Sequence, residues 1–274
     1  MVFVDKALAR RLEAAEEMPQ VHYARLYQKL RPTIGAAVEE ICGGHMVFAG
    51  VGSPIGRAGG IGFDGPISAA DLDRVEAFYR SHGAPAQVDV CPLTEPSLLE
   101  LLKLRSYTLA ELNNVLYRLL KRDEEFPPPA AGIDLRPAEA DEAELWADLV
   151  GRGFREGEAC PPDFLQMFTP LFQISNAVTF FASLNGELAG GAGGLIVPER
   201  KLLALFGAAT LPQFRGHGIQ TAFLHTRMAV AARAGCDLAV TVTLGGSTSQ
   251  RNAERAGFRV AYSKATMLKA FDAG

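Results

Sequence analysis

The chain has 274 residues, 48% of them hydrophobic, and a formal net charge of −4. That is long for one domain and comfortable for two; it supplies ample apolar material for buried cores and lacks the basic field that nucleic acid would require. Four scattered cysteines (Cys42, Cys91, Cys160 and Cys236) form no CxxC and no Cys/His cluster, which argues against a zinc site and for reduced thiols in the cytoplasm, and neither a signal peptide nor a membrane-spanning run is expected.

In chain order, Lys6–Glu17 reads as an amphipathic helix, and Tyr23–Arg31 and Ile34–Cys42 as further helices. Met46–Val51 reads as a strand. The glycines of Gly50-Val51-Gly52-Ser53-Pro54-Ile55-Gly56 are spaced one residue too widely for a dinucleotide fingerprint, and Pro54 interrupts them, so a loop is expected. Ser68 is the predicted N-cap of a helix carrying Leu72, Val75, Phe78 and Tyr79. A strand at Val88–Cys91, a helix at Leu98–Leu104 and a strand at Leu109–Leu119 follow.

Asp123-Glu124-Glu125-Phe126-Pro127-Pro128-Pro129 breaks the chain, because acids followed by three prolines favour a stiff, exposed linker. The predicted organisation is therefore a domain at 1–125, a Pro-rich linker at 126–132 and a second domain at 133–274. In the second domain, Ala140–Gly151 and Pro161–Phe172 read as helices. Thr179–Leu184 and Leu188–Val197 form a hairpin about Asn185-Gly186, and Lys201–Thr210 continues the sheet.

A turn follows, Leu211-Pro212-Gln213-Phe214-Arg215-Gly216-His217-Gly218, and then a helix from Ile219 to Ala234 with Ile219, Ala222, Phe223, Thr226 and Val230 on one stripe. A strand that passes through glycines into a helix start makes an anion seat: the first N–H groups of the helix have no carbonyl partner and lie at the positive end of its dipole. Gly216 and Gly218 let a phosphate approach the backbone, and Arg215 is expected to pair with it. His217 and His225 read as exposed or capping histidines and not as bases, and Cys236 as a buried structural thiol. A strand at Leu238–Thr243, a helical Ser249–Arg255, Gly257-Phe258 and a last strand to about Leu268 complete the chain.

The halves read as a repeat. Ser106-Tyr107 recurs as Gly257-Phe258, an offset of 151 residues that also carries the helix at Ser68 onto that at Ile219 and the strand at Val88 onto that at Ala239. Under this offset Arg215, Gly216, His217 and Gly218 correspond to Asp64, Gly65, Pro66 and Ile67. An acid, a residue without an N–H and a branched side chain suit no anion, so the first copy is expected not to bind one.

Read as Gln213-x-x-Gly216-x-Gly218 within this order of elements, the second half resembles the GNAT N-acyltransferase superfamily over roughly residues 133–271. The resemblance implies an α/β (α+β) fold of two GNAT-like domains in tandem, each a mixed, mostly antiparallel sheet flanked by helices, the N-terminal one degenerate. It implies an acetyl-CoA-dependent N-acetyltransferase that moves an acetyl group to an amine of a small molecule or peptide by direct attack, without metal, nucleic acid or membrane; the oligomeric state is left open. The diphosphate would lie on the N–H groups from Arg215 through Gly216, His217, Gly218 and Ile219 to Gln220, with Gln213 heading the motif. The main chain of Ala209, Thr210 and Leu211 would bond the pantetheine arm at a bulge, Ser249 and Asn252 would touch CoA, and Tyr262 would give a proton to the thiolate. Glu156 and Glu158 are candidates to face the acceptor. Members often carry a Glu on the strand before the turn and a Tyr four residues ahead of Gly-Phe. Here Leu203–Ala208 holds no acid, Ala253 takes the Tyr place, and Ser247 stands for an upstream Asn. A non-catalytic acyl-CoA-binding or regulatory protein is the alternative, and a longer acyl donor or aminoacyl-tRNA is a further one.

Overall fold

The computed structural model describes residues 3–161, 165 and 168–271. The chain divides into two compact units: Met1–Val115 with Thr243–Gly245 and Val260–Gly274, and Leu116–Val242 with Gly246–Arg259.

The first unit opens on α1, Lys6–Leu30, capped by Asp5, whose carboxylate accepts from Leu8 N–H at 2.8 Å. The two helices expected before Arg31 are one, and it continues through Pro19. The helix expected at Ile34–Cys42 is instead β1, Ala37–Ile41, which forms an antiparallel hairpin with β2, Gly44–Phe48. The alternation of Val38 and Glu39–Glu40 with Ile41 at a Cys42-Gly43 turn is a strand signal, since both turn residues take positive φ. β3 is only Ala58–Gly59 and runs parallel to β4, Ala86–Val90. Between them lies α2, Ala69–Ser81, with the expected Ser68 cap, and α3, Pro96–Leu104, follows β4. The core gathers Met46, Phe48, Leu72, Val75, Phe78, Tyr79, Val88, Leu98 and Leu102 between sheet and helices.

The strand beside β4 is not supplied by the adjacent sequence. It is the last strand of the chain, β11, Arg259–Lys269, antiparallel to β4 with Ala265 opposite Val90 and Lys269 opposite Ala86. β5, Thr108–Leu119, leaves the first unit between Val115 and Leu116. In the second unit its end lies beside β10, Leu238–Leu244. Leu120 N–H donates to Asp237 O at 2.9 Å there.

In the second unit the strand order from β5 is β10-β9-β8-β7-β6, with β6 at Ile133–Pro137, β7 at Phe180–Leu184, β8 at Glu187–Val197 and β9 at Leu202–Thr210. The β7–β8 turn is Asn185-Gly186, both at positive φ as a tight hairpin requires. α4, Ala143–Phe154, packs on β8 and β9 through Trp146 and Val150. On the core shared with β8 and β9, α5, Ile219–Arg233, brings Phe223, Leu224, Met228 and Ala231. α6, Thr248–Arg255, buries Ala253. Residues 162–164, 166 and 167 of the helix expected at Pro161–Phe172 lie outside the described residues, and Thr169–Gln173 forms a 3-10 turn. Phe126, at the head of the expected linker, lies under the Arg118 guanidinium at 4.9 Å and against the apolar residues of α5. Among the described residues no helix is long and apolar enough to cross a membrane.

Candidate active site

β9 delivers the chain to the glycine turn, and two departures from regular pairing shape that delivery. The parallel register of β9 with β10 runs from Leu202↔Leu238 to Leu205↔Thr241 and ends there, while β9 continues for five residues. On the other edge, β9 pairs Phe206 with Gly193 but Ala209 with Gly191. One extra residue is thus carried by β9, a bulge at which Gly207 adopts φ +56. The floor beneath is nearly bare: a Cβ on Gly191 would come within 3.0 Å of the Trp146 indole nitrogen, and one on Gly193 or Gly207 would touch the same ring at 3.4 or 3.5 Å. Trp146 is fixed over these glycines by its N–H on Phe180 O at 3.1 Å.

Past the bulge, Leu211 N–H donates to Ala189 O at 2.9 Å. In an antiparallel pair successive residues point their main-chain groups to opposite edges. Ala209 and Leu211 therefore face β8, and of the three expected contacts only Thr210 turns its main chain away from it. The Thr210 carbonyl accepts from Arg215 Nε at 3.2 Å, and its hydroxyl from Gln220 Nε2 at 2.9 Å. Strand end and helix start are thereby tied across the turn.

The turn is open. Pro212–Phe214 is a 3-10 turn in which Phe214 N–H bonds Leu211 O and Arg215 N–H bonds Pro212 O, so Arg215 does not offer its amide as expected. Gly216 and Gly218 take φ +85 and +92, values that L side chains rarely adopt, and a Cβ on either would meet nothing within 4 Å. Gly218 is the N-cap of α5, with no side-chain cap and no acid in the first turn. The N–H groups of Ile219, Gln220 and Thr221 consequently have no intrahelical carbonyl, and the helix presents its positive end bare.

The Arg215 side chain lies elsewhere than expected. Its guanidinium donates to Glu156 Oε2 at 2.6 Å and to Gly153 O at 2.9 Å, besides Thr210 O. It fastens the turn to the end of α4, and the arginine holds the Glu156 carboxyl below its usual range. Glu156 itself sits at φ +54. Glu158 pairs with Arg155 at 3.2 Å. His217 is exposed, with Nδ1 3.2 Å from Phe214 O, and Gln213 is exposed at the turn. His225 is half-buried against Phe126, 5.8 Å between rings, where burial lowers its pKa. Burial pushes the Cys236 thiol up to about 11. Ser249 is exposed and Asn252 half-buried on α6, whose cap is Ser247, accepting from Gln250 N–H at 3.1 Å.

Tyr262 belongs to the first unit. Its hydroxyl donates to Glu13 Oε1 at 2.7 Å and its pKa is raised by burial and by that carboxyl. On the same face of β11, Lys264 reaches Asp89 Oδ2 at 3.1 Å, Glu13 Oε2 at 3.3 Å and Glu16, and Thr266 donates to Asp89 Oδ1 at 2.6 Å. Arg57 closes the group, 3.5 Å from Asp89 and 3.4 Å from Glu111. Sequence reasoning missed this lattice. The signal available was the alternation Tyr262, Lys264, Thr266 on one strand face. It also missed Arg227, which stands four residues past Phe223 on the buried stripe of α5.

Residues 141–258, the stretch holding bulge, turn and α5, match the model of the acetyltransferase (GNAT) family. This stretch of the chain is a GNAT-family domain. This makes it an acyltransferase, with the glycine turn inside the matched GNAT region. A GCN5-related N-acetyltransferase from Kribbella flavida is similar in structure over 92% of this chain and 96% of its own, with TM-score 0.61 at 16% identity. A tandem GNAT protein from the clavulanic acid biosynthesis pathway is similar over 96% of this chain and 93% of its own, with TM-score 0.60 at 15% identity. A GCN5-related N-acetyltransferase from Sphaerobacter thermophilus matches 68% of this chain and 59% of its own, with TM-score 0.53 at 18% identity. No curated protein matches the sequence. Among the described residues no group of three His, Cys, Asp or Glu side chains is placed to hold a metal ion.

Proposed function

We propose that the second unit binds acetyl-CoA and transfers its acetyl group to an amine of a small molecule or peptide. The observation that carries this reading is the bare N-terminus of α5 behind two left-handed glycines with open space about them. Such an end binds anions, because unpaired N–H groups and the helix dipole act together. The diphosphate sits on the amides from Gly216 to Gln220, with Gln213, Ser249 and Asn252 as further contacts. The pantetheine arm runs along β9 beyond Leu205, where β10 no longer pairs, and bonds the main chain of Thr210. Arg215 positions the turn through α4 and Thr210.

In the reaction the amine nitrogen attacks the thioester carbonyl carbon. The C–N bond forms, the C–S bond breaks, the CoA thiolate departs and takes a proton, and the amine loses one. Tyr262 has no part in this step in our reading, since its hydroxyl is engaged by Glu13. The first unit is a degenerate copy. Its α2 N-terminus is closed by its own side chains: Asp71 Oδ2 accepts from Ser68 N–H at 2.9 Å, Ser68 Oγ from Asp71 N–H at 3.2 Å, and Ser97 Oγ from Ile67 N–H at 2.9 Å. Asp64, which stands for Arg215, pairs with Arg10.

One observation favours the non-catalytic alternative: Ala253 is buried where the family often has a tyrosine, so no hydroxyl is offered there. Turnover decides between the two. Acetyl-CoA is incubated with the protein and a panel of small amines and peptides, and free thiol is followed. Amine-dependent thiol release with a matching acetylated product supports transfer. Saturable binding with no release on any amine supports the alternative.

A further inference from the structure

The bulge of β9 has a buried cation behind it. Arg227 of α5 is 1% exposed, the most deeply buried arginine among the described residues. Its partners are main-chain carbonyls: Nε donates to Phe223 O at 3.0 Å, and Nη1 to Gly193 O at 2.5 Å and Phe206 O at 3.4 Å. Burial pushes its pKa down to about 9, with no neighbouring charge contributing, and leaves it charged at neutral pH.

The place of these bonds is informative. Gly193 and Phe206 are opposite each other at the last paired position before the register shifts. Phe206 is also the first residue of β9 past the end of its pairing with β10 at Leu205↔Thr241. One guanidinium nitrogen thus joins both strands where one ladder slips and the other stops. Buried carbonyls at the position where a ladder slips are costly when left short of donors. A desolvated guanidinium with no carboxylate is costly as well. Each relieves the other, because a charged donor to a carbonyl is among the stronger hydrogen bonds.

We propose that Arg227 is a positioning residue for acyl-CoA: by holding the Gly193 and Phe206 carbonyls it keeps the bulge that turns β9 away from β10 and fixes the main chain along which the pantetheine arm lies. This rests on the acetyl-CoA reading above. Arg227 touches no reacting atom in it. Nη1 reaches the two strand carbonyls while Nε holds Phe223 O, whereas lysine places a single point charge and lacks that second, rigidly placed donor, and methionine supplies volume alone.

The test compares wild type, Arg227→Lys and Arg227→Met. Amide exchange of the peptide covering residues 203–210 is followed by mass spectrometry, with calorimetric titration of acetyl-CoA and steady-state kinetics on any amine that turns over. The expected result for Arg227→Met is exchange in that peptide at least tenfold faster and an acetyl-CoA Kd at least tenfold weaker. KM for acetyl-CoA should rise while kcat at saturation changes less than threefold, the mark of lost uniform binding. Arg227→Lys should fall between. A folded Arg227→Met protein with wild-type Kd and wild-type exchange overturns the proposal. If Arg227→Met does not fold, Arg227→Lys decides: wild-type exchange and Kd there overturn it, and intermediate values uphold it. A wild-type protein that binds no acetyl-CoA sinks the functional reading instead, and the exchange comparison still tests whether Arg227 holds the bulge.

Discussion

Lys264 carries a heavy share of the first unit's order. It is 2% exposed and ringed by Asp89, Glu13 and Glu16. Burial alone would lower its pKa, but the three acids outweigh that and hold its ammonium well above the ordinary range. Asp89 is held below its usual range by Lys264 and Arg57 against its own burial, while burial pushes Glu13 up. Removing one partner of such a group leaves uncompensated buried charge. Lys264→Met should therefore lower the unfolding free energy of the first unit by roughly 3–5 kcal/mol, read from the urea midpoint. The sign with pH follows from the raised lysine. Its contribution is complete below its unfolded value of about 10.4 and is lost as pH rises through the higher folded value. The wild-type urea midpoint should fall above about pH 10. Asp89 and Glu13 act in opposite senses on the acid side, so the alkaline limb is the diagnostic one.

At the scale of the element, the two helices that follow the parallel strand of each unit differ at one end. α2 wears a capping box made by Ser68 and Asp71, and α5 begins at an uncapped glycine. Ser68→Ala should cost about 1 kcal/mol of first-unit stability. It should leave acetyl-CoA affinity unchanged, checked by denaturant melts and titration on the same sample. This contrast was legible in the sequence, because caps and glycine turns are local chemistry. Ser68 and the Asn185-Gly186 hairpin formed as read, and so did the strand, turn and helix around Gly216. The helix expected at Ile34–Cys42 failed because a short run with one turn signal was assigned the wrong period. The expected contact of Arg215 with a phosphate was read from composition of the turn. In the structure Glu156, Gly153 O and Thr210 O claim its guanidinium, and two of these lie more than fifty residues away in sequence. Arg227 and Lys264 were unreadable for the same reason: their partners are brought by topology, and a buried charge is understood only once those partners are known.

For the whole molecule, the path of the last strand matters most. β11 follows α6 of the second unit in sequence yet completes the first unit beside β4, where Tyr262, Lys264 and Thr266 meet Glu13 and Asp89. The first unit therefore cannot be finished until the C-terminus is available. A chain ending at Arg259 should leave Glu13 and Asp89 without Lys264 and β4 without its neighbour. Limited proteolysis should then cut within residues 6–115 at least tenfold faster than in the full chain. Equal resistance of the two chains would show that β11 is dispensable there. The boundary suggested by the proline stretch at 126–132 describes the order of the sequence, whereas the compact units follow the pairing of the strands.

If the glycine turn before α5 seats the diphosphate of acyl-CoA, calorimetric titration of acetyl-CoA into the wild type and Gly218→Asp will separate the two proteins. The exchange puts a carboxylate at φ +92 in the open space before the helix, where no neighbour is displaced. Saturable binding by the wild type, and a loss of at least about a hundredfold in the variant with circular dichroism nearly unchanged and a melting point lowered only by the backbone strain of an L residue at that φ, is the predicted result, since repulsion at this end replaces attraction. Equal affinity in the two proteins would contradict the account.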